Sequence, residues 1–436
     1  MAHLPWTIRD LRRALAVGAV RPAELADQAL ANSGRNANGN TYLWQDATWT
    51  RTEAARAAAM PRGDGGPFDD GRAALWGLPV SVKDCFDLAG TPTTCGVRFY
   101  RERNGEAACD SWLVAQLRAA GAVLIGKTHL HPLAYGITGE NPEFRDCMQP
   151  GNPGALTGGS SSGAAASILE GSAVAAIGTD TGGSIRTPAA LCGLAGYRAT
   201  LGRGDWRRGA HLAESFDTFG WLFRDLRDAP LLAAPFAPDA PAAVHAFSRF
   251  AYLADGFLDD CEPAVLASFH AVIRELEELG LAPRSIDPAW WRDSAETFAP
   301  IQAWEAARVH AGHFGHFQPV LRERLEWGAR IGPDEVAALR SRHRDFVARM
   351  DELLAEHELI LLPSVPVELL PAGADHSGTR ARLLRYTTPF SLAGVPVVAI
   401  PCAAGGMQLA AARQADESLL ALAARLGHFR TTHPTP

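Results

Sequence analysis

Apolar residues recur at helical spacing in several segments of the chain. Residues 7–31 show this spacing after Thr7, a residue suited to cap a helix, and Gly18 and Pro22 interrupt it. The sequence therefore predicts a helical N-terminal arm in two pieces. Further helices are predicted over 111–120, 164–170, 263–280, 296–316, 333–356 and 417–426.

Short, uninterrupted apolar runs predict buried strands between these helices. The runs span 75–82, 122–125, 173–177, 359–362 and 395–400. Segments rich in Gly, Pro, Asn, Asp or Ala predict loops and surface connections, and these span 61–72, 151–163 and 230–243. Because strands alternate with helices, the pattern favours an α/β fold with helices on both faces of a sheet.

Composition and charge exclude several classes of protein. The 436 residues carry 41 basic and 48 acidic side chains, a net charge of −7, which argues against nucleic acid or an anionic membrane as partner. No apolar run approaches the length of a membrane-spanning helix, and the N-terminal residues lack a secretory pattern. The seven cysteines are scattered without a C-x-x-C pair, so we expect reduced thiols and a cytoplasmic location.

Lysine is almost absent from the basic residues. Only Lys83 and Lys127 are lysines, and every other cation among the 41 is arginine. Arginine stays protonated in proteins, whereas a buried lysine can lose its proton and act as a base. The two lysines are therefore candidates for work that arginine cannot do, with chance survival as the alternative.

Two catalytic motifs match the chain but are not favoured. Residues 121–128 fit the phosphate-binding Walker A pattern, yet the four residues between its glycines are apolar and predict a buried strand with a structural Lys127. Residues 159–163 fit the G-x-S-x-G nucleophile elbow around Ser161, but the residues before them do not predict the strand that the elbow requires.

A third set of residues has the chemistry that amide cleavage needs. Ser160 and Ser184 lie in two separate Gly/Ser-rich segments, and Lys83 ends an apolar run upstream of both. An amide is a poor electrophile, so its cleavage requires an activated nucleophile, a base and an oxyanion site. A neutral lysine could supply the base, and the 181–184 turn could supply convergent backbone N–H donors. The residues alone leave open ordinary loops beside an ion-paired lysine.

These segments together resemble the amidase signature family over most of the chain. The resemblance rests on 77–84, 126–130, 158–198, 359–363 and 388–396, which follow one another in the family's order; the last two resemble its C-terminal strands. It implies the amidase signature fold, α/β with a mixed central β-sheet covered by helices on both faces. It also implies a single domain over 1–436, with a signature core at about 60–225, a helical cap-like part at about 255–356, and returning strands with a last helix at about 357–430.

The resemblance also implies roles for individual residues. Ser184 would be the nucleophile, Ser160, joined to Gly159 by a cis peptide bond, would relay the proton, and Lys83 would be the neutral base. The implied oxyanion hole comprises Thr181, Gly182, Gly183 and Ser184, and the implied supporting residues are Asp180 and Arg186.

The implied activity is hydrolysis of a small or aromatic carboxylic amide without a metal or cofactor. Segments 134–141 and 214–221 resemble compact amidases of the indole-3-acetamide hydrolase type, so Tyr135, Gly136 and Ile137 are predicted to contact substrate. A homodimer is compatible with the family. The alternatives are the amidase subunit of an ATP-dependent amidotransferase complex and a non-catalytic scaffold on the same fold.

Three further residues could carry chemistry of another kind. His129 and His131 could ligate a metal, but no third ligand follows at suitable spacing, so we expect loop or surface histidines. Cys85 could be a reactive thiol, but its position beside an apolar strand predicts a buried one.

Overall fold

The computed structural model of the chain describes residues 7–60, 73–236 and 243–432. The predicted loop 61–72 lies outside the described residues, as do residues 237–242 of the predicted connection 230–243. In the described part, no helix combines the length and the apolar character that crossing a membrane requires.

Fourteen strands in the described residues form two sheets. Numbered in chain order, they are β1 Tyr42–Trp44, β2 Pro79–Lys83, β3 Val123–Thr128, β4 Met148–Gln149, β5 Asn152–Leu156, β6 Ala175–Asp180, β7 Ala195–Arg198, β8 Thr218–Phe223, β9 Arg249–Leu253, β10 Ala282–Ile286, β11 Leu359–Pro363, β12 Leu370–Pro371, β13 Val397–Ile400 and β14 Met407–Ala411.

The larger sheet has eleven strands in the order β1-β3-β2-β6-β8-β7-β13-β14-β11-β9-β10. Strands β2, β3 and β6 are parallel neighbours, whereas β8, β7, β13 and β14 pair in antiparallel fashion. The central strands are buried along their whole length, as apolar runs require when both faces are covered. The predicted α/β fold with a mixed central sheet covered by helices on both faces is confirmed.

The helices lie between these strands along the chain. They are α1 Ile8–Ala16, α2 Pro22–Arg35, α3 Ala47–Ala58, α4 Arg98–Asn104, α5 Trp112–Ala119, α6 Ser162–Glu170, α7 Arg186–Leu191, α8 Ala229–Ala233, α9 Pro263–Glu278, α10 Ser294–Val309, α11 Pro319–Arg330, α12 Pro333–His357, α13 Thr379–Ala393 and α14 Asp416–Thr432. The N-terminal arm is in two pieces as predicted, and the Thr7 hydroxyl accepts the Asp10 N–H at 3.1 Å as a helix cap.

Three segments differ from the sequence prediction. The predicted loop 151–163 contains β5, which pairs with β4 and with β12, a strand far later along the chain. The predicted connection 230–243 begins inside helix α8. Residues 388–393 belong to helix α13 and not to a strand; the helix is buried almost entirely over this part, so its apolar run resembles a buried strand.

Candidate active site

The site lies where two parallel strands end side by side. Lys83 is the last residue of β2, and Thr179 and Asp180 are the last residues of the neighbouring strand β6. The carboxyl ends of parallel strands in an α/β sheet form the usual edge for a binding site. The segments that carry Ser160 and Ser184 complete the site at this edge.

Lys83 is fully buried and faces hydroxyl groups. Its Nζ donates to Ser160 Oγ at 2.7 Å and to Thr179 Oγ1 at 2.7 Å. Within the described ranges, no carboxylate lies at ion-pair distance from Nζ. Burial lowers the pKa of Lys83 from 10.5 to about 8, with partial opposition from Cys85 and Asp180. A substantial fraction of this amine is therefore neutral near neutral pH.

Lys127 has the opposite surroundings. Its Nζ forms a fully buried ion pair with Asp84 Oδ1 at 2.7 Å and donates to the Pro92 carbonyl at 2.7 Å. The lysine lies inside β3, and the apolar residues before it are buried strand positions. The Walker A match is therefore a strand with a structural lysine, as the sequence predicts.

Ser160 is held against a second loop of the chain. Its peptide bond from Gly159 is cis, and its carbonyl accepts the His131 N–H at 3.1 Å. The Gly159 N–H donates to the Ile137 carbonyl at 2.8 Å. A side chain at Gly159 would bring its Cβ within 2.8 Å of the Gly139 backbone nitrogen, so this close approach requires glycine.

Ser184 lies in the loop between β6 and α7, and it is 5% exposed. Its carbonyl accepts the Ser161 N–H at 3.2 Å, which links its loop to the start of α6 beside Ser160. The Ser161 hydroxyl donates to the Thr179 carbonyl at 3.2 Å. Strand β5 ends shortly before this segment, so the expectation that no strand precedes Ser161 is wrong, but its fully buried hydroxyl is engaged with backbone.

The 181–184 turn departs from the implied oxyanion hole at one residue. The Gly183 N–H donates to Asp180 Oδ1 at 2.8 Å, and the Thr387 hydroxyl donates to the Gly182 carbonyl, so this peptide is turned away from a substrate. Gly183 is therefore not available as an oxyanion donor, which corrects its implied role. Among the described residues, the N–H groups of Thr181, Gly182 and Ser184 have no hydrogen-bond acceptor.

Asp180 fixes the turn through two buried guanidinium groups. Arg186 Nη2 donates to its Oδ1 at 2.8 Å, and Arg198 Nη1 lies 3.0 Å from the same oxygen. Burial alone would raise the pKa of Asp180, but Arg186 and Arg198 outweigh it and hold that pKa well below the ordinary value. Arg186 also donates to the Thr387 carbonyl at 2.9 Å, so the turn, helix α7 and helix α13 are joined.

The predicted substrate residues line a small cleft at Ser184. Tyr135, Gly136 and Ile137 form one side of this cleft, with Gly182 beside Ser184. The remaining lining residues are Ala134, Gln302, Arg380 and Leu384. The free volume is about 10 Å³, about the room for one water molecule, so a substrate requires movement of the lining side chains.

Neither predicted surface histidine lies on the surface, which corrects that expectation. His129 is fully buried, its Nε2 lies 2.8 Å from the Arg145 carbonyl, and burial lowers its pKa to about 4. His131 is half-buried and packs beside Gly136. No group of three or more His, Cys, Asp or Glu side chains suited to a metal ion occurs in the described ranges. Cys85 is buried as predicted, and burial raises its pKa to about 12.

Sequence reasoning missed residues that support the site from a distance. Thr179 is next to Asp180 in the same motif, so a hydroxyl beside the lysine could have been found there. Arg198 ends the segment 158–198, and the resemblance implied no role for it. Thr387 and Arg380 lie on α13, far along the chain and outside any local motif.

The comparisons with known proteins agree with this site. The family model described as Amidase matches residues 35–420. The chain is 31% identical over 467 residues to a glutamyl-tRNA(Gln) amidotransferase subunit of Roseiflexus sp. (strain RS-1), covering 95% of this chain and 94% of that protein. It is also 31% identical over 435 residues to the indoleacetamide hydrolase of Pseudomonas savastanoi, covering 92% and 90%.

Structure comparison gives the same family. A solved crystal structure of an amidase is 28% identical, superposes with a TM-score of 0.86, and is matched over 98% of this chain and 100% of that one. Because the two curated relatives above are equally similar, identity alone does not separate a free hydrolase from a member of an amidotransferase complex. The chain belongs to the amidase signature family and is an amidase.

Proposed function

We propose that the protein hydrolyses a small or aromatic carboxylic amide to an acid and ammonia or an amine, through an acyl intermediate on Ser184. The observation that carries the proposal is the 2.7 Å contact between Lys83 Nζ and Ser160 Oγ. This lysine is buried without a carboxylate partner among the described residues, and burial lowers its pKa to about 8. A base with such a pKa suits proton transfer near neutral pH.

Acylation moves one proton along the three side chains. Lys83 accepts the Ser160 hydroxyl proton while Ser160 accepts the Ser184 hydroxyl proton, and the Ser184 oxygen forms a bond to the amide carbonyl carbon. The carbonyl oxygen gains the charge and binds the free N–H groups of Thr181, Gly182 and Ser184. The proton then returns through Ser160 to the amide nitrogen, the C–N bond breaks, and ammonia or an amine leaves.

Deacylation uses the same path with water as the nucleophile. Water loses a proton toward Ser160 and Lys83, and its oxygen attacks the ester carbon on Ser184. The proton returns to the Ser184 oxygen as the ester bond breaks, which restores the hydroxyl and releases the carboxylic acid.

Two serine variants test the identity of the nucleophile. Ser184→Ala is expected to lower ammonia release from primary amides such as indole-3-acetamide and phenylacetamide by about 10⁴-fold or more, because the acyl group has no oxygen to bind. Ser161→Ala is the matched control, since its hydroxyl contacts only the Thr179 carbonyl, and most activity is expected to remain. The opposite result, with activity lost in the control and kept in Ser184→Ala, would point to the nucleophile elbow.

Membership of an amidotransferase complex is the second candidate, supported by the equal identity to the Roseiflexus sp. (strain RS-1) protein. Such a chain would act within a complex that consumes ATP. Hydrolysis of free amides by the isolated chain would argue against this candidate, and strict dependence of ammonia release on a copurifying partner would favour it. A non-catalytic scaffold has no need of Lys83, Ser160 and Ser184, all of which are present.

We also propose a reducing compartment such as the cytoplasm, which the seven free cysteines support. A single amidase domain over 1–436 and a homodimer remain proposals. Limited proteolysis tests the first, and light scattering on the purified protein tests the second.

A further inference from the structure

Two arginines flank one tyrosine at the substrate cleft. Arg324 on α11 and Arg380 on α13 have their guanidinium carbons 5.7 Å and 5.8 Å from the centre of the Tyr135 ring. Tyr135 and Arg380 both line the cleft that contains Ser184. The cleft therefore carries concentrated positive charge beside the proposed nucleophile.

No acidic side chain compensates this charge in the described part of the chain. Arg380 has one hydrogen bond, from Nη2 to Gln302 Oε1 at 3.0 Å, and Arg324 donates to the Tyr135 carbonyl at 2.8 Å. Neither arginine has an ion pair among the described residues. Burial lowers the pKa of Arg380 to about 10, with Arg324 adding to the effect. Other half-buried arginines here do have acids, as Arg382 on the same helix does with Asp260 at 3.1 Å.

The polar groups at this end of the cleft suit a ligand that only accepts hydrogen bonds. The Gln302 oxygen is occupied by Arg380, which leaves the Gln302 amide NH₂ as a donor beside the remaining guanidinium N–H groups. A carboxylate accepts such bonds and supplies the missing negative charge, and guanidinium matches its planar geometry. Because Ser184 and Arg380 line the same small cleft, a ligand that spans both is short.

We propose, on the basis of the amide hydrolysis above, that the physiological substrate is an amide that also carries a carboxylate, and that Arg380 binds this carboxylate with Gln302 while Arg324 adds attraction behind Tyr135. The carboxylate belongs to the acyl part or to the amine part of the substrate. The experiment below separates these two sources.

Matched substrates measure the preference for a negative charge. Succinamate carries the carboxylate on the acyl part, and 4-methylpentanamide replaces that carboxylate with an isopropyl group of similar shape. N-acetyl-β-alanine carries the carboxylate on the amine part, and N-isopentylacetamide is its neutral counterpart. The variants are Arg380→Gln and, as a control on the same helix, Arg382→Gln, whose side chain is paired with Asp260 away from the cleft.

The wild-type enzyme is expected to prefer one acidic substrate over its neutral counterpart by about 100-fold in kcat/KM, the usual size of a lost charge-assisted contact. Arg380→Gln is expected to remove this preference with little change for the neutral amide, and Arg382→Gln is expected to keep it. The melting temperature of Arg380→Gln is expected to be no lower than that of the wild type, because no acid loses its partner.

Binding to an inactive variant tests the proposal independently of turnover. Calorimetry of succinamate and N-acetyl-β-alanine with Ser184→Ala is expected to show binding of at least one, lost when Arg380→Gln is added. If these bind but no amide is cleaved by the wild type, the carboxylate site stands and the hydrolytic function fails. If neutral amides are cleaved as well as acidic ones, or if neither acid binds in a way that depends on Arg380, the carboxylate site is refuted.

Discussion

Two buried lysines at adjacent strands show how a partner decides what a side chain does. Lys83 and Lys127 are both fully buried, and β2 and β3 run side by side. Lys127 faces the Asp84 carboxylate, so its charge is compensated, whereas Lys83 faces two hydroxyl groups. A buried charge without a partner is costly, and that cost is what lowers the pKa of Lys83.

Lys83→Met is expected to abolish activity without loss of stability. A shift of the pKa from 10.5 to about 8 corresponds to a destabilisation of about 3 kcal/mol while the lysine is charged. The cost is present in full below pH 8 and fades as pH rises from about 8 toward 10.5, because the unfolded chain then binds more protons. The lost hydrogen bonds to Ser160 and Thr179 offset about 2 kcal/mol. Urea unfolding near pH 7 is expected to show the variant about 1 kcal/mol more stable.

Lys127→Met is the matched comparison at the neighbouring strand. It leaves the buried Asp84 carboxylate without its cation, so we expect a loss of about 3–5 kcal/mol in the same unfolding experiment. Equal destabilisation of the two variants would show that Lys83 does not carry an uncompensated charge.

At the scale of the element, the connection from β6 to α7 is built by one carboxylate. Helix α7 has only six residues, too few for stability on its own. Asp180 accepts the N–H groups of Gly183, Ile185 and Arg186 at 2.8, 3.1 and 3.3 Å, which holds the turn at the start of the helix. The orientation of the turn, and with it the free donors for an oxyanion, depends on this side chain.

Asp180→Asn is expected to destabilise the protein by about 3–5 kcal/mol and to abolish turnover. The substitution leaves Arg186 and Arg198 buried without a counter-charge. The control is Asp27→Asn, which breaks the exposed Asp27–Arg51 pair and is expected to change stability by less than about 0.5 kcal/mol. Thermal and urea unfolding with amide hydrolysis measure both effects, and a fully active, stable Asp180→Asn enzyme would contradict this role.

At the scale of the whole molecule, local patterns predict the fold better than they predict the details of the site. The elements follow from apolar periodicity, and the contact between Lys83 and Ser160 follows from recognising three separated motifs. The orientation of Gly183 could not be predicted, because it depends on Thr387, which lies far along the chain on α13. The proposed carboxylate site could not be predicted for the same reason, since Arg324 and Arg380 come from helices that no local signal connects to Tyr135.

The central claim is that neutral Lys83 activates Ser184 through Ser160, and the rate at which an aryl sulfonyl fluoride modifies Ser184 tests it most directly. Intact-protein mass spectrometry followed by peptide mapping measures this rate across pH. We expect modification at Ser184 alone, rising about tenfold per pH unit below a midpoint near 8 and then levelling, as the lysine loses its proton. Lys83→Met is expected to be slow at every pH. Modification at Ser161, or a rate at Ser184 that is independent of pH and of Lys83, would contradict the account.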